Sequence, residues 1–535
     1  MLPQVRESWS TSADECRHSI SACGYSSCTK IEAMTFLELL RGSEVLSQGG
    51  NPNVAGLQYD SRKIKFGDVF VAMRGESSDG NQFIDRAIAA GAVAVVTDSR
   101  TEKPRPNIAW AQAPHGRRAL ARLSANFYKC PAEKLAITGI TGTNGKSTTA
   151  FLLESILKAD NRGSVLIGTI EYHVCDRVLP APHTTPESLE LNSIFSEALD
   201  CGATETVMEV SSHALAQERI YGLSFDTAVF TNLTRDHLDY HHTMDEYFAA
   251  KRTLFEGCGT KPPRATVINI DDERGRELVG VSKREGSNVL TYGLAKGDFH
   301  AEKIEISLRG TGFDLITPVN RLPISSPLIG RVNVFNIVAA AAAAYARSVT
   351  NSAIAQGVAD LARVPGRFER VDCGQPFTVV VDYAHTDDAL RNLTLLAREF
   401  VRTEKGRVIT IFGCGGDRDR AKRPLMGEAV GQNSDLVVLT SDNPRGEDPL
   451  AIMNDAVVGL QRSGANYQME PDRALAIKYA IRKAKAGDIV LIAGKGHEKI
   501  QVTREGTIPF DDVKVAREAL AASGYSCEFE ARNSS

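Results

Sequence analysis

Thr141-Gly142-Thr143-Asn144-Gly145-Lys146-Ser147 combines what phosphate chemistry needs: small residues that let backbone N–H groups approach an anion, a mobile lysine charge, and a hydroxyl suited to Mg²⁺. It reads as an ATP-binding loop. A strict phosphate-loop pattern wants glycine where Ile140 stands, and the glycines fall instead at Gly139 and Gly142, so the stretch alone could also be a glycine turn capping a helix. Met208-Glu209-Val210-Ser211-Ser212-His213 and Thr231 to Asp239 then supply carboxylates and imidazoles. Each follows an apolar run, so Glu209, Asp236 and His237 are expected at the sheet edge that carries the loop, where they could hold Mg²⁺. Singly, each could be a helix or turn cap.

Strands and helices must position these groups, and the apolar runs predict them. Leu135 to Thr138 predicts a strand and Thr148 to Leu157 a helix, the start of a parallel strand–helix–strand unit. Val165 to Ile167, Thr206 to Met208 and Ala228 to Phe230 extend it into a doubly wound sheet with its site at the strand C-termini. Ile337 to Ala346 is apolar but far short of the ~20 residues that cross a bilayer, and predicts a buried helix. Upstream, a helix beginning near Phe36, apolar runs at Val69 to Ala72 and Ala92 to Val96, and a helix over Phe83 to Ala90 predict a small α/β unit. Downstream, runs at Thr378 to Val381, Val408 to Phe412, Leu436 to Thr440 and Ile489 to Ala493, with a helix over Asp388 to Phe400, predict a Rossmann-like α/β unit. The expected organisation is α/β in three domains: a disordered tail over 1–33, with Met34 a candidate start, then an N-terminal domain over 34–131. A central ATP-binding P-loop domain over 132–364 and a C-terminal domain over 365–535 follow, joined at Val364-Pro365-Gly366-Arg367.

Composition sets the class. The chain has 535 residues, 42% hydrophobic and 24% charged, which suits several packed domains. A net charge of −4 leaves no surplus to neutralise a nucleic-acid backbone. Ten cysteines with no C-x-x-C pair show neither a zinc ribbon nor a dense disulfide framework, and the N-terminus carries no continuous apolar signal core. A reduced, cytoplasmic protein without stable membrane insertion is expected.

In chain order, Asp60-Ser61-Arg62, the phosphate loop, Thr184-Thr185-Pro186-Glu187, M-E-V-S-S-H-A-L from Met208, T-N-L-T-R-D-H-L-D-Y-H from Thr231 and Lys251-Arg252 resemble the Mur ligases. The resemblance continues through G-R-V-N-V-F-N from Gly330, P-G-R-F-E-R from Pro365, V-D-Y-A-H-T from Val381, G-C-G-G-D-R-D from Gly413, D-N-P-R from Asp442 and G-K-G-H-E from Gly494. Each piece is modestly specific; their order over nearly the whole chain carries the likeness. It implies an ATP-driven amide ligation, in which a substrate carboxylate is phosphorylated to an acyl phosphate and an amino-acid amine displaces the phosphate. Two anions must meet, so Lys146 and Mg²⁺ have to cancel their repulsion.

The resemblance assigns ATP binding to Thr141, Gly142, Thr143, Asn144, Gly145, Lys146, Ser147 and Thr148, with Asn336 near the adenine, Arg367 on the phosphates and Asp382 bordering the nucleotide. Ser147, Glu209 and His237 become metal ligands, and Lys251 the lysine that is carbamoylated to N6-carboxylysine; Lys146, Glu209, His237 and Lys251 form the catalytic set. Ser61 and Arg62 are assigned to the uridine end of a UDP-sugar peptide, and Thr184, Thr185, Ser211, Gln217 and Arg219 to the rest of it. Asp442-Asn443-Pro444-Arg445 with Arg418, Gly494 and Glu498 would form the amino-acid pocket, Arg445 gripping the distal carboxylate of meso-diaminopimelate. The implied substrate is UDP-N-acetylmuramoyl-L-alanyl-D-glutamate and the implied enzyme a monomer of peptidoglycan precursor synthesis. A lysine-adding or other Mur-type ligase, or a non-catalytic nucleotide-sugar binding protein, are the alternatives. Asn81, His183 and Asp387 depart from the family's pattern, the last expected to require a loop adjustment.

Overall fold

Apolar runs become parallel strands where helices cover both sheet faces. In the computed structural model, which describes residues 34–75 and 78–526, this happens in three layered units. The predicted disordered tail lies outside the described residues. Near Met34 the expected helix is a single turn, Phe36–Leu39, capped by Thr35, because Met34–Thr35 pairs instead with Asn53–Val54. A five-stranded sheet follows, Ser47–Gly49, Ala109–Gln112, Ala94–Thr97, Asp68–Ala72 and Gly56–Gln58 in spatial order.

The central sheet has eight strands, in the order Arg177–Pro180, Glu171–Val174, Ser164–Ile167, Glu205–Glu209, Ala136–Thr141, Thr227–Phe230, Ala265–Asn269, Asn288–Tyr292. Six are parallel; the Glu171–Val174 and Arg177–Pro180 hairpin adds an antiparallel edge. The chain leaves Ala136–Thr141 to one side and later returns to its other flank, so the order reverses there and a crevice opens at the strand C-termini. Beneath it the Arg331–Ala346 helix is buried along its alanine run and packs against the Lys146–Ala159 helix, since methyl side chains permit close approach. The sequence reading missed an antiparallel three-stranded sheet, His300–Ser307, Gly310–Ile316 and Arg321–Ser326.

In the last unit the strands run Glu369–Arg370, Thr378–Asp382, Ile489–Ala493, Val408–Phe412, Leu436–Leu439, Tyr467–Met469, parallel except the first. Asp387 opens the Asp387–Glu404 helix, capped by Thr386, where an acid favours the helix dipole. Among the described residues no helix is long and apolar enough to cross a membrane. The cysteines are not all reduced as expected, for Cys175 in the hairpin turn is joined to Cys201 at the end of the Ser188–Asp200 helix.

His173, on the edge hairpin, lies 2.8 Å from Glu154 of the phosphate-loop helix and 3.0 Å from Glu171. Burial opposes its charge, but the two carboxylates outweigh burial and raise its pKa to about 9. A pKa raised on folding stabilises the state that binds the proton, fully below the ordinary value of 6.5, and that stabilisation is lost as pH climbs through about 9. Thermal unfolding of the central unit is therefore expected to shift downward between those values, and His173→Gln to flatten the dependence.

Candidate active site

The phosphate loop is built by its neighbours. The strand continues through buried Ile140 to Thr141, which is why no glycine stands at position 140; the loop proper is Gly142–Gly145. Gly145 has φ +87° and lies against the Asn336 side chain, leaving no room for a Cβ. Thr231 Oγ1 donates to Asn144 O (2.7 Å) and Asn144 N to Asn232 Oδ1 (2.9 Å), so the end of the adjacent strand braces the loop. The helix opening at Lys146 turns its free first-turn N–H groups toward the crevice. Lys146 Nζ folds over the loop to Gly142 O (3.1 Å) and Thr143 O (2.8 Å); burial lowers its pKa, with Glu209 opposing.

Glu209 ends the strand on the other flank and is buried. Its carboxylate accepts from Thr169 N (2.8 Å) and Thr169 Oγ1 (2.9 Å), and that hydroxyl also lies 3.1 Å from Thr184 Oγ1. Thr169 was missed in the sequence; it follows the strand Ser164–Ile167 by two residues, a position that was the available signal. Thr185 Oγ1 donates to Glu209 O (2.9 Å) and accepts from Ser211 N (3.1 Å), while Arg219 donates to Thr185 O (3.0 Å) and to Gln217 Oε1 (2.8 Å). Thr184, Thr185, Ser211, Gln217 and Arg219 thus form one connected cluster beside Glu209. Ser61 is buried, whereas Arg62 is 73% exposed and turned onto Asp60 at 2.8 Å.

Asp236 and His237 follow the next strand end. Asp236 is held well below the usual carboxylate range: burial works against its charge, but Lys422 at 3.4 Å and His385 at 3.7 Å prevail. His237 adopts φ +54° and its ring stands edge-on to His213, 4.8 Å between centroids. Burial, and the nearby His213, Lys251 and Lys146, lower its pKa to about 3 despite Asp236, so the imidazole is neutral and keeps a lone pair. Lys251 is buried on the Met244–Glu256 helix, donates to Gly142 O (2.9 Å) and lies 4.5 Å over the Tyr247 ring. Burial first, then repulsion from Lys146, push its pKa far down.

The C-terminal unit closes the crevice. Arg367 donates to Ser147 Oγ (3.2 Å) and stacks 4.5 Å over Tyr383; Asn144 donates to Asp388 (3.0 Å); Arg235 pairs with Asp419 (3.0 Å). A cavity of about 270 Å³ results, lined among others by Lys146, Ser147, Thr148, Glu209, His237, Asn336, Arg367 and Asp382. Asp382 lines it but spends both oxygens on the amides of Phe368 and Ala384, each 2.7 Å, and so shapes the turn.

The expected amino-acid residues gather at the C-terminal edge of the last sheet. Arg445, at φ +51°, donates to Gly416 O (2.9 Å), and Arg418 to Asp417 O (2.8 Å). Arg445 Nη1 and the aliphatic stem of Arg418 border Gly415. Burial and then repulsion from Arg418 lower the Arg445 pKa. Gly494, φ +118°, would bring a Cβ within 3.3 Å of Asp442 Oδ2, and Asn443 Nδ2 donates to Glu498 Oε2 at 2.9 Å. Lys422 and Lys495, both buried and both missed in the sequence, sit inside quoted motifs or just beyond them, but nothing local marks a lysine as inward-facing.

Three family models match in order: the Mur ligase family catalytic domain over residues 53–128, the Mur ligase middle domain over 140–344 and the Mur ligase glutamate ligase domain over 366–496. The chain is 54% identical over 475 residues to the UDP-N-acetylmuramoyl-L-alanyl-D-glutamate–2,6-diaminopimelate ligase of Solibacter usitatus, covering 88% of this chain and 94% of that one. To the ligase of the same description from Geobacillus thermodenitrificans it is 44% identical, over 92% and 99% of the two chains. A solved structure of such a ligase superposes with a TM-score of 0.65 at 33% identity, over 92% of this chain and 100% of that one. A MurF structure from Acinetobacter baumannii shares the fold with a TM-score of 0.64 at 19% identity, over 92% and 99%. With these matches running the length of the crevice and its three flanking units, the chain belongs to the Mur ligase family.

Proposed function

We propose that the chain is an ATP-dependent ligase that adds meso-diaminopimelate to UDP-N-acetylmuramoyl-L-alanyl-D-glutamate, a step of peptidoglycan precursor synthesis. The observation that carries the amino-acid assignment is the Arg418 and Arg445 pair, two neighbouring cations whose hydrogen bonds go to backbone carbonyls at the C-terminal edge of the last sheet. A distal carboxylate neutralises them, whereas the terminal ammonium of lysine would add a third positive charge.

The residues support a two-stage reaction. A carboxylate oxygen of the nucleotide peptide attacks the γ-phosphorus, the bond to the ADP oxygen breaks, and an acyl phosphate forms. The amine then attacks the acyl carbon, phosphate leaves, and the amine gives up a proton. The loop amides and Lys146 hold the phosphates, Asn336 faces the adenine end, and Arg367 reaches the phosphates from the C-terminal unit. Thr184, Thr185, Ser211, Gln217 and Arg219 hold the sugar and peptide, with Ser61 and Arg62 at the uridine end.

A carboxylate, a neutral imidazole and a hydroxyl from Glu209, His237 and Ser147 suit Mg²⁺, which takes few protein ligands and fills its shell with phosphate and water oxygens. The described residues hold no cluster of three or more His, Cys, Asp or Glu that would serve a metal without such help. Bound there, Mg²⁺ supplies charge neutralisation for the transferring phosphoryl group. The proposed enzyme acts as a monomer, and its need for ATP and a nucleotide sugar supports the cytoplasm.

Phosphate release with the purified nucleotide dipeptide tests the reading. Diaminopimelate is expected to outperform lysine by roughly a hundredfold or more, because a site built for a carboxylate rejects the analogue that lacks it. Equal use of lysine would favour the lysine-adding alternative, and nucleotide-sugar binding without phosphate release would favour a non-catalytic protein.

A further inference from the structure

We propose that Lys495 is the positioning residue of the amino-acid pocket, holding Glu498 and Asn443 in the arrangement that leaves a carboxylate oxygen free to receive the substrate's ammonium. The inference rests on the diaminopimelate-ligase reading and deepens it. Lys495 follows the strand Ile489–Ala493, and its side chain is 0% exposed. An ammonium has three donors. Here they point to Asn443 Oδ1 (3.0 Å), Glu498 Oε2 (3.0 Å) and, more loosely, Asp442 Oδ1 (3.5 Å). None is left for a ligand, so Lys495 acts through its neighbours.

Those neighbours are thereby fixed. Asn443 Oδ1 accepts from both Lys495 and Val502 N (2.9 Å), so its amide cannot turn over without placing Nδ2 against a cation. In this orientation Nδ2 donates to Glu498 Oε2, which already accepts from Lys495. One oxygen of Glu498 is therefore engaged twice, and the other is the oxygen available to the pocket. Removing the ammonium takes away one of the two donors that hold Asn443 Oδ1 and leaves the Asp442 and Glu498 carboxylates without the cation between them, so they separate.

The surrounding backbone does not depend on Lys495. Arg473 and Asp512, both fully buried, form a 2.7 Å ion pair, and Arg473 also donates to Ala493 O (3.0 Å) and Ser441 O (3.4 Å). That pair ties together the two strand ends that carry the pocket. Loss of Lys495 is thus expected to alter side-chain orientation at the pocket while the loops stay in place.

The test is Lys495→Met in the full chain, with Lys495→Gln as the second variant should the first fail to fold. Apparent KM for meso-diaminopimelate is expected to rise roughly thirtyfold or more, while KM for ATP and for the nucleotide dipeptide stays within about twofold. Glu498→Gln raises the same KM, and the double variant is expected to be no worse than Glu498→Gln alone, because the lysine works through that carboxylate. An unchanged diaminopimelate KM, an equal loss for ATP, or losses that multiply in the double variant would overturn the proposal. Wild-type turnover separates the two readings: if the wild type prefers another amino acid, the ligase assignment is corrected and the same double-variant comparison is made with that amino acid.

Discussion

Lys251→Ala is expected to lower turnover by roughly two to three orders of magnitude, the scale at which losing one preorganised charge-stabilising group acts. Lys251 is buried, 2.9 Å from Gly142 O, and both its burial and Lys146 disfavour an ammonium. In the proposed role the Lys251 amine attacks CO₂: an N–C bond would form, one proton would leave, and the group would become an anionic carbamate. Beside Lys146 and the proposed Mg²⁺ ligands, that reversal converts repulsion into attraction. Phosphate release by Lys251→Ala should recover in part with short-chain carboxylates, which restore an anion in the vacated space. Lys251→Met, keeping the stem against Tyr247, should match the wild type in thermal unfolding but not be rescued. Wild-type turnover by either variant would remove the role.

Arg445→Ala is expected to raise KM for meso-diaminopimelate roughly a hundredfold, about 2–3 kcal/mol, while KM for ATP is unchanged. The size follows from charge: Arg445 is half-buried and repelled by Arg418, so a bound carboxylate offsets both penalties. The variant should also narrow the preference over lysine, since one of the two charges that exclude a distal ammonium is gone. Steady-state kinetics with each amino acid in turn measures both effects, and unaltered amino-acid kinetics would defeat the assignment.

The parallel strands were legible because strands buried on both faces read as unbroken apolar runs, as at Ala228 to Phe230 and Ile489 to Ala493. The loop was legible because glycine, lysine and serine in that order have few other uses. The sheet His300–Ser326 was not, since His300–Ser307 exposes much of its length and shows no long apolar run. Nor was the Glu171–Pro180 hairpin, whose Arg177–Pro180 strand is largely exposed. Asp382 was expected to border the nucleotide; it lines the crevice, yet one oxygen is held by the local Ala384 amide and the other by Phe368 N, brought back beside it by the preceding turn, a tertiary fact. Thr169, Lys422 and Lys495 were missed for the same reason: each is held inward by a partner distant in sequence, Glu209, Asp236 and Asn443, 40, 186 and 52 residues away.

The strand ends act as a ruler. Glu209 is in register with Ile140, and Phe230 with Thr141, so the carboxylate, the loop and the Thr231 brace stand on adjacent rungs about 4.8 Å apart. For anyone redesigning this enzyme, loop grafts outside those rungs leave the spacing intact. A single residue inserted within Glu205–Glu209 would rotate Glu209 to the opposite side of the sheet, beyond repair by any change in the loops.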